Sequence, residues 1–161
     1  MSLPNRRTVL FAPLALVACG FAPAYGPGGV ADGLQGRIRV ADPDDKLGFD
    51  LVERLEERLG RPEAARFDLG YSIVTKAESL GITPEDAITR FHLTGHIDWT
   101  LTNRETGQRA TGGRVQGFTA YSATGSTVAG LAAEEDAAYR LMRILADQIV
   151  TRLLATSGSW A

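Results

Sequence analysis

Apolar and polar positions follow one another along this chain in three different rhythms. The first is an unbroken apolar run, Leu10 to Val17, with Arg6 and Arg7 just upstream. At roughly 10 residues it is half the ~20 needed to span a bilayer. The second rhythm is alternation. Leu34, Ile38 and Val40 against Arg37 and Arg39 predict a short half-buried strand over 34–40. Phe67, Leu69, Tyr71 and Ile73, set against Asp68, Ser72 and Lys76, predict a second over 66–76. The clearest is 88–102: Phe91, Leu93, Ile97, Trp99 and Leu101 share one face, and Arg90, His92, Thr94, His96, Asp98 and Thr100 share the other. A fourth strand returns over 108–121, with its phase interrupted around Gly112-Gly113, where a bulge is expected. The third rhythm is helical. Leu47, Leu51, Val52, Leu55 and Leu59 stripe a helix over 46–59, and Ala137, Leu141, Leu145, Ile149 and Leu153, widened by Ile144 and Ala138, stripe a longer one over 129–154.

The residues between these segments punctuate them. Residues 41–45 break the first strand and offer N-caps. Gly60 suits the position after a helix, and Pro62 stops its continuation. Residues 78–87 read as a turn region, 103–107 as a hairpin loop with glycine near its end, and 121–127 as a loop ending in capping residues. Residues 156–161 are expected to fray. The order is therefore β-α-β-β-β-α. Alternating strands give a sheet one wet and one dry face, and two striped helices can cover the dry one. The fold class expected is α+β: a two-layer α/β sandwich with a four-stranded mixed sheet and two helices on one face. The helix after the first strand permits a parallel crossover, and the later strands form antiparallel hairpins.

Composition sharpens the first rhythm. The chain has 161 residues, a formal net charge of −2 and one cysteine. Acids and bases are interspersed, so no basic stripe announces nucleic acid, and one thiol cannot make an internal disulfide. That cysteine stands directly after the apolar run. A positive start, a short apolar core and a small residue before the cut make a secretory signal. Leu16-Val17-Ala18-Cys19 resembles a bacterial lipobox. The resemblance implies a signal peptide over 1–18, cleavage between Ala18 and Cys19, and lipid on Cys19. Two or three acyl chains anchor stably where one does not. Gly20 after Cys19, by resemblance to enterobacterial sorting, favours the outer membrane. Arg6-Arg7 lacks the rest of a twin-arginine signal, so ordinary export is expected. Residues 19–33, rich in Gly and Pro, form a tether, and 34–155 the folded domain, about one domain's worth of chain.

Candidate chemistry is sparse. His92, His96 and Asp98 share a strand face, but a rise of ~3.3 Å per residue puts the histidines about 13 Å apart and His96 and Asp98 about 7 Å apart. Zinc holds its ligands at ~2.0–2.2 Å, so no metal and no cofactor are expected. Thr124-Gly125-Ser126-Thr127-Val128 lacks the second glycine of a nucleophile elbow, and Gly26-Pro27-Gly28-Gly29 lacks the lysine and following helix of a phosphate loop. Glu134, Glu135 and Asp136 diverge by ~100° per residue on a helix and do not converge. What remains is an interaction surface: Arg37, Arg39, Lys76, Arg90, His92 and His96 on the wet sheet face. Such cations can meet phosphates or carboxylates; each also reads as ordinary surface charge that guards a strand.

The order of local motifs carries a resemblance. Cys19-Gly20-Phe21-Ala22-Pro23-Ala24-Tyr25-Gly26, the stretch Thr89-Arg90-Phe91-His92-Leu93 through Trp99-Thr100-Leu101 with Thr106-Gly107, and Ala133-Glu134-Glu135-Asp136-Ala137 followed by Arg140-Leu141 and Leu145-Ala146-Asp147-Gln148-Ile149 together resemble the lipopolysaccharide-assembly lipoprotein family LptE, in its alphaproteobacterial form. The resemblance implies two helices on a four-stranded sheet, as read above. It implies a non-enzymatic outer-membrane lipoprotein on the periplasmic side that plugs and helps assemble the LptD β-barrel and assists lipopolysaccharide insertion by binding. The implied partners are LptD, lipopolysaccharide, and the inner leaflet of the outer membrane through lipidated Cys19. The family's lipid-binding residues are basic. Arg90, Lys76, Arg37 and Arg39 are candidates from sheet-face geometry alone.

Two other readings stand beside it. One is a free envelope lipoprotein that binds lipid or protein in another transport or maintenance system. The other is an envelope hydrolase acting through Ser122, Ser126, His92 or His96.

Overall fold

A computed structural model describes residues 29, 34–82, 88–123 and 126–160. The signal segment, Ala18, Cys19, nearly all of the tether, and 83–87 within the expected 78–87 turn lie outside the described residues. The elements are β1 (Ile38–Val40), α1 (Lys46–Leu59), β2 (Phe67–Ile82), β3 (Ile88–Asn103), β4 (Arg109–Ser122), α2 (Thr127–Thr156) and a 3-10 turn (Ser157–Ser159). The sheet order is β1-β2-β3-β4. β1 and β2 run parallel, joined through α1, and the other pairs are antiparallel. The expected α+β sandwich is the observed fold.

Local chemistry sets the ends of the elements. Asp45 Oδ1 accepts from the Gly48 amide at 2.6 Å and starts α1. Gly60, at φ 78°, ends it in a conformation that L side chains rarely adopt. Ser126 Oγ accepts from the Ala129 amide at 3.3 Å and starts α2 two residues earlier than the apolar stripe alone suggests. Asn103 Oδ1 accepts from the amides of Glu105 and Thr106, which folds the β3–β4 turn.

The core lies between sheet and helices. Ile38, Phe67, Leu69, Ile97, Leu101 and Val115 face Leu51, Leu55, Leu59, Leu141, Leu145 and Ile149, and all are essentially inaccessible. Trp99 is buried, as its phase predicts. α2 sits close because Gly95 and Gly117 are paired neighbours on β3 and β4 beneath it. A Cβ on Gly95 would come within 3.0 Å of Leu141 Cδ2. The helices are joined on their outer side by Arg54, whose guanidinium donates to both oxygens of Asp147 at 3.0 Å.

Five expectations change. β1 is shorter than 34–40, because residues 34–37 turn instead: the Arg37 amide donates to the Leu34 carbonyl, with Gly36 at φ 70°. β2 runs on to Ile82, into the segment read as a turn, because Ile82 and Ile88 pair. The bulge in β4 falls at Ala110, not at Gly112-Gly113: Leu101 pairs with Thr111 and Thr102 with Arg109. Gly112 is instead a place where the backbone of Trp99 comes within 2.7 Å of where a Cβ would lie. Ile144 is 41% exposed; the arc of α2 turned toward α1 buries Met142, Ala146 and Val150 in its stead. The C-terminal residues expected to fray dock: Trp160 meets Phe67 edge-on, with ring centroids 5.2 Å apart.

Candidate functional site

The wet face of the sheet is the surface no helix covers. Register places its side chains in rows across β2, β3 and β4: Lys76, Thr94 and Phe118; Val74, His96 and Gln116; Ser72, Asp98 and Arg114. Between them lies an open groove of about 620 Å³, walled by Val74, Lys76, His92, His96 and Phe118. His92 lies against Phe118 with ring centroids 5.2 Å apart.

Most charges here are matched by neighbours. Asp98 accepts two bonds from Arg114, both at 2.7 Å, and the Arg114 hydrogen bonding holds its carboxyl below the ordinary value. Lys76 pairs with Glu78 at 2.7 Å. That hydrogen bond raises the ammonium and lowers the carboxyl. Because these groups are exposed, water and salt screen both pairs.

The four cations expected to recognise phosphate do not converge. Arg39 sits beside Asp68 at 3.4 Å, at one end of the sheet. Lys76 is eight residues further along β2, roughly 26 Å away. Arg90 follows Lys76 toward the far end, where it pairs in register with Gly81 and Ser122. Arg37 and Arg90 are exposed and, among the described residues, make no ion pair. The face thus offers two free guanidiniums at opposite ends and two cations already neutralised. Ser122 and Ser126 lie at the same far end; Ser126 Oγ is spent on the helix cap. His92 and His96 are in different rows, and no group of three or more metal-ligating side chains forms among the described residues.

Sequence reasoning missed the apolar part of this face. Val74 is 49% exposed and Phe118 63%. Val74 could have been found, since it shares its phase with Ser72 and Lys76. Phe118 could not, because its phase depends on the bulge at Ala110. A second apolar surface lies at the far end, where Phe91 stacks on Tyr121 at 5.2 Å, with Leu131 beside them.

This fold, a four-stranded sheet backed by a two-helix layer, is shared with several bacterial lipoproteins of known structure. A lipoprotein from Caulobacter crescentus superposes with a TM-score of 0.67 at 22% identity, covering 83% of this chain and 98% of that one. The rare lipoprotein B of Shewanella oneidensis gives 0.58 at 15% identity, over 76% and 95%. Lipoprotein B of Nitrosomonas europaea gives 0.59 at 17%, over 87% and 94%. These likenesses establish the fold. No curated protein matches the chain. The lipopolysaccharide-assembly family LptE matches residues 36–153, from the turn before β1 into the last turn of α2, and the chain belongs to that family.

Proposed function

We propose that this protein is exported, cleaved between Ala18 and Cys19, and lipidated on Cys19. In this reading it works from the inner leaflet of the outer membrane as the plug and assembly factor of an LptD-type barrel, and assists lipopolysaccharide insertion by binding rather than by catalysis. The observation that carries the reading is the family match across the whole sandwich. The physical arrangement is compatible with it. A plug in a water-lined barrel needs a polar outer surface, and the wet face with its matched charges supplies one. Arg37 and Arg90, which make no ion pair among the described residues, are the first choices for phosphate contact. Arg39 and Lys76 must first give up Asp68 and Glu78.

Gentle detergent extraction of the native protein tests this. Recovery of a one-to-one complex with a large β-barrel is the expected result. Recovery of the lipoprotein alone at native expression, across several detergents, would sink the plug and leave a free envelope lipoprotein.

A further inference from the structure

The two long strands at the sheet margins are treated differently. On β4, side chains of α2 reach over and occupy edge carbonyls: Arg152 donates to Arg114 O at 2.6 Å, Gln148 to Gln116 O at 3.2 Å and Arg140 to Ala120 O at 3.4 Å. On β2 nothing comparable happens past Leu69 among the described residues. β1 pairs only with Phe67, Asp68 and Leu69. The Phe67 amide donates to Arg37 O, and Leu69 O accepts from Ala41. By the alternation of a ladder, the backbone groups of Ile73, Thr75, Ala77 and Ser79 therefore point off the sheet. An open edge of that length is a template for another strand.

The side chains along this edge are self-complementary. About Ala77 the sequence reads outward as Lys76 and Glu78, Thr75 and Ser79, Val74 and Leu80. Turned through a two-fold axis at Ala77, an antiparallel copy sets Lys76 opposite Glu78 and Glu78 opposite Lys76. Together with the pair already made within each strand at 2.7 Å, this makes a ring of four alternating charges. Hydroxyl meets hydroxyl at Thr75 and Ser79. Val74 and Leu80, 49% and 52% exposed, lie at the rims, just outside the paired segment. The register irregularity beyond Ser79 then stops the pairing from running further.

We propose that the β2 edge, centred on Ala77, is a docking site for a second copy of this chain, joining two sheets into one. The contact is short, so it belongs to the weak, exchanging class of interface.

Sedimentation of the purified full chain over a concentration series tests this. The expected result is a reversible dimer. Lys76→Glu or Glu78→Lys alone sets like charges opposite at two symmetry-related places and weakens the dimer by about tenfold, and the double exchange restores it. Ala77→Pro abolishes it without removing an internal ladder bond. Ala77→Cys on a Cys19→Ala background cross-links to itself on oxidation, because facing residues of such a pair lie ~5.5 Å apart. Circular dichroism confirms that each variant is folded. A monomer up to about 1 mM, a dimer indifferent to the single reversals, or failure of the double exchange to rescue would each overturn the proposal. Any of these would leave the edge to a strand of another protein. The barrel reading is tested separately and survives either result.

Discussion

Single positions show where this fold has no room. Gly95 lies under α2, and a methyl there would press on Leu141 at 3.0 Å. Gly70, on the wet face, has nothing within 4 Å of where its Cβ would be. Urea denaturation should separate the two: Gly95→Ala destabilises by about 1–3 kcal/mol as overpacking, whereas Gly70→Ala stays within about 0.5 kcal/mol of the parent. Trp160 gives a second contrast. Loss of its edge-on contact in Trp160→Ala removes about 0.5–1.5 kcal/mol beyond its buried area, which a frayed tail would not feel. Sequence pattern located most core residues because their phase is local. It could not locate Trp160, whose partner Phe67 lies far away along the chain and is reached only once both helices are placed.

At the scale of elements, ion pairs within α1 and between β3 and β4 bear on the response to acid. Arg54 holds the Glu57 carboxyl below its ordinary value by hydrogen bonding, and Arg114 does the same to Asp98. A carboxyl lowered by folding contributes stability that is fully present above its unfolded value, about 4, and is lost as pH falls through the lower folded value. The urea midpoint should therefore hold steady from neutrality down to about pH 5 and fall below about pH 4. Glu57→Gln with Asp98→Asn should flatten that fall. Both groups are exposed, so high salt should shrink it as well. Element order, helix stripes and strand faces were all legible because periodicity encodes them. The bulge at Ala110 was not: it is set by where β4 meets β3 across the hairpin, and the two glycines nearby carried a stronger local signal for a different job. Phe118, on the wet face, was hidden for the same reason.

At the scale of the molecule, charge and attachment carry the remaining predictions. Arg90→Glu should weaken binding of lipopolysaccharide in a direct binding assay by about fivefold at low salt, with less effect from Lys76→Gln because Glu78 already engages that ammonium. Cys19→Ala should move the protein from the membrane fraction to the soluble one; persistence in membranes would remove the acyl anchor from the proposal. Both depend on readings the sequence supplied through family likeness, whereas the guanidiniums of Arg37 and Arg90, unpaired among the described residues, became visible only from the structure.

The covered edge of β4 has a consequence for growth. A sheet with two open margins can add copies at both sides and lengthen into a fibre. Here three side chains of α2 already occupy carbonyls along one margin, so of the two long marginal strands only β2 offers an open edge among the described residues. Two molecules joined across a two-fold axis use up that place in each other, and the symmetry closes. Crowded copies would stop at pairs, and a stripped edge, as in Arg140→Ala with Gln148→Ala and Arg152→Ala, is where polymerisation would begin.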